Sequence, residues 1–205
     1  MVNPEVKEEI ILKAAMDVFI EKGRHGARMQ EIADRAGINK ALLHYYFRNK
    51  ENLYRQIFER VFGNFIIDLT QMLEPGMDIR EALKGFIHDF TELLRNNEKI
   101  PLFMVRELSD GGETVAKIIS RFNSQDSGPQ KLIRFFDEAK QRGQIRPTID
   151  SVQLLLTLLG SCVYFFLAEP LIRTVLSWPE NLSRDQFIED RKAAIFDILY
   201  NGLKP

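Results

Sequence analysis

The sequence predicts an all-α fold in two halves, and three observations carry that reading. Apolar residues recur at spacings of three and four along nearly the whole chain, and no stretch shows convincing strand alternation. Helix breakers fall between those stretches, at Gly37, Glu74-Pro75-Gly76, Asp110-Gly111-Gly112 and Gly128-Pro129. Near the amino end, Met29 to Lys50 holds two short helical patterns separated by a tight turn.

The first helix is expected to open at Pro4 and Glu5, capped by Asn3, with proline placed where the amide is free anyway. Ile10, Ile11, Ala14, Ala15, Val18 and Phe19 keep its period to Glu21, and Gly23 ends it. Ile32, Ala33 and Ala36 form one face of the next short helix. Gly37 then supplies the residue able to take positive φ and reverse the chain. Ile38 plugs the corner and Asn39 is a strong N-cap for a helix from Lys40. In that helix Leu43 and Phe47 face inward, Leu42 and Tyr46 form one flank, Lys40 and His44 the other, and Ala41 and Tyr45 point outward.

A small residue on the outward face lets a helix approach a groove floor closely, while lysine, histidine and tyrosine beside it reach phosphates or base edges. The motif therefore reads as a helix-turn-helix in the major groove. Its candidate DNA contacts are Arg28, Gln30, Asn39, Lys40, Ala41, Leu42, His44, Tyr45, Tyr46 and Lys50, with helix amino termini assisting as partial positive charges. Taken alone, an aromatic run in a helix pair is more often plain core, and many all-α proteins contain such pairs without binding nucleic acid.

The joint pattern is more specific. Ile32-Ala33, Ala36-Gly37-Ile38-Asn39, His44-Tyr45-Tyr46-Phe47 and Lys50-Glu51-Asn52-Leu53 resemble the DNA-binding domain of the TetR family of bacterial transcriptional regulators, over about residues 8–60. Three positions depart from the family pattern: Ala27 stands for threonine, Ala41-Leu42 for Gly-Thr, and His44 for tyrosine. These changes bear on which operator is read, with Arg28 placed to replace the lost hydroxyl at position 27.

From Lys50 a helical pattern continues to about Leu73, a rod of roughly 35 Å at the usual helical rise. Asp78 caps the next helix, with a stripe of Leu83, Phe86, Ile87, Phe90, Leu93 and Leu94 ending near Asn96-Asn97. Shorter helices are expected from Pro101 to about Leu108, from Thr114 to Phe122, and from Gln130 to Gly143. Asp150 introduces a helix through about Ala168 that is apolar nearly all round, with Glu169-Pro170 expected to break it and Leu171 to Leu176 a short link. Ser183 opens the last helix, striped by Phe187, Ile188, Ala194, Ile195, Ile198 and Leu199. An all-round apolar helix needs burial on more than one side, so these last two helices are expected to form a four-helix bundle with a second copy. Such a homodimer would carry two motifs to a palindromic operator, in successive major grooves roughly 34 Å apart.

Charge agrees with a localised interface. The net charge is −1, yet residues 22–50 hold seven Lys/Arg against two Asp/Glu. The single cysteine, Cys162, excludes an internal disulfide and reads as a buried small hydrophobe. No export signal is visible, and the apolar run Val152 to Leu167 looks short and polar for a membrane span, so a cytoplasmic protein is expected. His25, His44 and His88 have no spaced metal partner, and neither a nucleophile elbow nor a phosphate-cradling glycine loop is present. Enzymatic function is thus not expected, nor a metal or cofactor.

The division is placed at residue 50: residues 1–50 as the DNA-binding domain and 51–205 as the ligand-binding and dimerisation domain. In the second half Phe62, Phe65, Phe86, Phe90, Phe103, Met104, Arg106, Phe122, Phe136 and Tyr164 are candidate lining for an apolar or amphipathic effector. Individually each is more simply core packing. As a set in a TetR-like chain they imply a small-molecule sensor that releases the operator, and repression is the family habit. The competing reading is a helical dimeric binding protein whose motif has lost DNA affinity.

Overall fold

A computed structural model describes the backbone of residues 4–74, 76–122, 128–175, 178 and 181–205, and their side chains except at 4–5, 61–62, 64–72 and 122. Ten helices and no strand occur among the described residues. They are α1 (Pro4–Gly26), α2 (Met29–Arg35), α3 (Lys40–Phe47), α4 (Lys50–Met72), α5 (Ile79–Asn96), α6 (Ile100–Ser109), α7 (Glu113–Phe122), α8 (Gly128–Gln141), α9 (Ser151–Val175) and α10 (Arg184–Leu203). The fold is all-α, with an amino-terminal helix-turn-helix followed by a larger helical half. The packing forms two compact units: Met1–Asn64 with Lys99–Arg121, and Phe65–Glu98 with Phe122–Pro205. The first therefore gathers the start of α4 together with α6 and α7 around the motif, and does not end at residue 50.

In the first unit α1 packs on α2 and α6, and α2 on α3. Helical order in α1 is interrupted at Gly23, which takes φ 69° and ψ 171°, and a last turn continues to Gly26. The expected stop is thus a kink. The Asn3 cap lies outside the described residues. The core joins Ile11, Ala15, Val18 and Phe19 to Ile32, Ala33, Leu43, Phe47, Leu53, Ile57 and Phe58, all almost fully buried. Phe103 of α6 completes it, stacked on Phe58 at 4.4 Å between ring centroids and set edge-on to Tyr54 at 5.1 Å. After α6, Gly111 and Gly112 both take positive φ, and the Gly112 amide donates to the Glu107 carbonyl at 2.8 Å. That tight reversal lets the buried Glu107 carboxylate accept from the amides of Thr114 and Val115, capping α7 from below.

In the second unit α5 packs on α9 and α10, α9 on α10, and α8 on α9. The Asp78 cap forms, its side chain accepting from the Arg80 amide at 2.7 Å, and Ser183 caps α10 through the Gln186 amide. Asp150 accepts from the Gln153 amide at the start of α9. The Ser151 hydroxyl donates to Asp137 at 2.6 Å, which ties α9 to α8. Cys162 is buried against Thr91, and burial, only partly offset by that hydroxyl, pushes its thiol up to about 11. It is an inert core residue, as expected.

α9 differs from expectation at its carboxy end. Glu169-Pro170 does not break it, and the helix runs 25 residues to Val175. Proline removes one amide from the ladder, but the flanking bonds hold the turn: Thr174 donates its hydroxyl to the Pro170 carbonyl, and Glu169 pairs with Arg173 and Arg184. By length and composition this helix is apolar enough to cross a membrane, unlike the shorter run read from sequence. Its buried face, with Leu154, Leu155, Leu158, Cys162 and Phe165, packs within the helical bundle of the second unit. Val152, Leu156 and Tyr164 of α9 and Ile198 of α10 remain exposed, Ile198 to 68%. Gly160 lies on the exposed side of α9, and a methyl group added there would meet nothing within 4 Å.

Candidate nucleic-acid interface

The turn between α2 and α3 is built by Gly37 at φ +66°. Its amide donates to the Asp34 carbonyl and the next amide, of Ile38, to the Ala33 carbonyl, so the last carbonyls of α2 are satisfied as the chain reverses. The Asn39 side chain then accepts from the Leu42 amide at 2.7 Å and starts α3. Leu43 and Phe47 are buried against the first unit's core, which fixes the rotation of α3 about its axis. Lys40, Ala41, His44 and Tyr45 are left exposed, Tyr45 to 81%, with Leu42 and Tyr46 half-buried at the flank. The outer face of α3 is as the spacing predicts.

Several candidate contacts have partners within the chain. Asn39 is occupied as a cap, and Gln30 donates to Asp34 at 2.8 Å. Lys50 donates to the carbonyls of His25 and Ala27, each at 3.1 Å, and so ties the end of α1 to the start of α4. Ala27 is buried, and Arg28 forms the N-cap position of α2 without a side-chain cap bond. The Asn49 side chain takes the Asn52 amide at the start of α4.

The same accounting redistributes the positive charge seen in the sequence. Lys22 pairs with Glu31 at 2.6 Å, and Arg35 makes a two-pronged bond to Glu21. That Arg35 bond outweighs burial and holds the Glu21 carboxyl below its ordinary value. Arg24 lies over the Tyr54 ring and reaches the Thr114 hydroxyl. Tyr54 is itself shifted up, first by burial and then by the nearby Glu107 charge. Among the described residues Arg28, Lys40 and Arg48 carry no carboxylate partner. Arg48 was missed as a candidate. It caps α3 with φ 59° and ψ −54°, and its carbonyl lies 2.7 Å from His44 Nδ1. The only available signal was a basic residue one place beyond the buried Phe47.

The candidate effector residues fall in both units. Phe103, Met104 and Arg106 belong to the first, where Phe103 is core and Arg106 Nε donates to the Ile20 carbonyl at 3.2 Å. Phe86, Phe90, Phe136 and Tyr164 belong to the second. There Phe86 and Phe90 form a ring pair at 5.6 Å, Phe136 is buried, and Tyr164 is exposed. The side chains of Phe62, Phe65 and Phe122 lie outside the described residues.

Residues 11–57 match the bacterial regulatory proteins of the tetR family. Among curated relatives, the transcriptional activator FasR of Mycolicibacterium smegmatis is 34% identical over 89 residues, 43% of this chain and 41% of FasR, so the chain spans about two fifths of that relative's length. The transcriptional regulator RutR of Escherichia coli O157:H7 is 25% identical over 97% of this chain and 91% of its own. Of the solved structures, FadR of Bacillus subtilis in complex with stearoyl-CoA superposes with a TM-score of 0.68 at 19% identity, covering 95% of this chain and 98% of that one. With the exposed α3 and the turn that positions it, these likenesses identify residues 11–57 as a DNA-binding domain similar to that of the tetR-family regulators, within an all-α fold that the solved structures share.

Proposed function

We propose that the chain is a cytoplasmic repressor that binds a palindromic operator as a homodimer and leaves it when a small apolar or amphipathic ligand binds. One observation carries the DNA reading: α3 is anchored by buried Leu43 and Phe47 and presents Ala41 between exposed Lys40, His44 and Tyr45. The unpaired Arg28 and Arg48 support it as phosphate contacts at the rim of that face. On this reading residues 1–50 hold the DNA contacts, and 51–205 hold the effector and the second copy.

The exposed apolar residues of α9 and α10 support pairing between copies, since Val152, Leu156, Tyr164 and Ile198 left facing water are costly and a second copy would cover them. For the effector, the second unit supplies aromatic side chains suited to an apolar chain, the Phe86–Phe90 ring pair and the buried Phe136. The stearoyl-CoA bound by the Bacillus subtilis neighbour suggests a fatty acyl thioester as the first compound to try. The helix α4, which contributes to both units, is the element through which occupancy would act on α3. A coupling of roughly 1–3 kcal/mol changes DNA affinity by about 5- to 150-fold.

The test is a gel shift on the region upstream of the protein's own gene, repeated at increasing salt and then with acyl-CoA of graded chain length. Three unpaired cations per subunit, six per dimer, give a slope of log affinity against log salt of roughly −5. Retention that falls along such a slope and is reversed by one chain-length class supports the proposal. No retention at low salt overturns it in favour of a helical dimeric binding protein with degenerate DNA affinity.

A further inference from the structure

His44 stands exposed on the outer face of α3, and its ring is held by a bond to the backbone of its own helix end. Nδ1 lies 2.7 Å from the Arg48 carbonyl oxygen. A carbonyl oxygen only accepts, so the proton in that bond belongs to Nδ1. In the uncharged ring Nε2 then carries no proton and is a bare acceptor. The arrangement is reciprocal: the Arg48 amide donates to the His44 carbonyl at 2.8 Å, while Arg48 itself takes φ 59°, a left-handed value uncommon for a residue with a side chain. The ring is thereby oriented by the helix terminus.

We propose that His44 selects a base carrying an exocyclic amino group, adenine at N6 or cytosine at N4, through a hydrogen bond accepted by Nε2 in the major groove. The inference rests on the DNA-binding reading of α3 and adds to it the kind of base edge that is read. In the major groove guanine offers only the acceptors N7 and O6, and thymine an acceptor and a methyl group. Phosphate oxygens accept as well. Only the amino groups of adenine and cytosine can satisfy an outward acceptor, so a ring that looks like a general polar contact discriminates between bases. Lys40, also exposed on the outer face of α3, is a pure donor and has the opposite preference, for guanine or phosphate.

Two measurements on the full-length chain test this. Long-range nitrogen-proton NMR of the histidine rings should show His44 protonated at Nδ1 and bare at Nε2. A duplex enriched from random DNA by the wild-type chain is then compared with copies in which single adenines are replaced by purine deoxyriboside and single cytosines by a 2-pyrimidinone deoxyriboside, each lacking the amino group. At one position in each half-site the loss should be roughly 5-fold for the wild type, the value of one net hydrogen bond. His44→Ala, measured on the same duplexes with its helicity verified by circular dichroism, should show no further loss there, which also removes the contribution of weakened base pairing. A ring protonated at Nε2 alone, or equal losses for wild type and H44A at every position, overturns the assignment while leaving DNA binding intact. Failure of the wild type to retain any duplex at low salt overturns the DNA-binding reading and the contact with it.

Discussion

Phe103 lies in a cage of rings, stacked on Phe58 and set against Tyr54 and Phe19, with 1% of its surface exposed. Phe103→Ala should cost roughly 3–5 kcal/mol, because transfer energy and an unfilled cavity add. Thermal unfolding checks this, and a loss under 1 kcal/mol would mean the ring is not packed as described. The residue was read as effector lining because aromatic spacing cannot tell a pocket wall from a core. Other candidate contacts at this scale meet a related difficulty. Lys50 is a candidate phosphate contact, yet it donates to the carbonyls of His25 and Ala27 at the end of α1 and just beyond it. Side-chain partners 23 or 25 residues away leave no trace in local pattern. The buried Leu43 and Phe47 and the exposed Ala41 and Tyr45 were legible, since helical period alone fixes opposite faces.

α10 is fastened to α5 by a charge cluster. Lys192, 8% exposed, donates to Glu92 at 3.1 Å and lies 2.8 Å from Glu189, while Arg95 reaches Glu92, Glu189 and Asp185. Burial alone would raise the Glu92 carboxyl, but the bond and charge of Lys192, with Arg95, hold it below the ordinary 4.5. Burial would likewise lower Lys192, and its two carboxylates hold it above 10.5. A carboxyl depressed by folding stabilises at pH above its unfolded value and loses that contribution as pH falls through the folded one. A raised ammonium contributes below its unfolded value and loses that as pH rises. Lys192→Met should therefore cost roughly 1–2 kcal/mol near neutral pH, a value reduced because Glu189 is half exposed. In urea titrations the difference from wild type should shrink below pH 4.5 and above pH 10.5. A difference constant across that range would rule the pair out as a fastener. Elements themselves were mostly readable, because Asp78, Asn39, Asp150 and Ser183 are caps with a local mechanism. Pro170 misled because its lost amide is offset by bonds from Thr174 and Arg184 that no pattern of spacing displays.

For the whole molecule, the exposed apolar residues of α9 and α10 bear on the proposed pairing of copies. Leu156→Glu places a charge at a position 56% exposed in one chain, so helicity should be preserved. If α9 faces a second copy, two such carboxylates meet there. Sedimentation should then show monomer at concentrations where the wild type is paired, and operator affinity should fall by about 100-fold or more, roughly 3 kcal/mol. Unchanged pairing would move the interface to another face. The all-round apolar character of α9 is legible in the sequence, but which of its residues stay outside depends on how α5, α8 and α10 pack against it. Gly160 adds a consequence that one chain on its own does not reveal. Because nothing stands within 4 Å of a side chain there, the fold tolerates any small residue at that point. A loss of pairing on Gly160→Ala with stability unchanged would place a neighbour at close range there, which makes a position silent for folding into a census of molecular companionship.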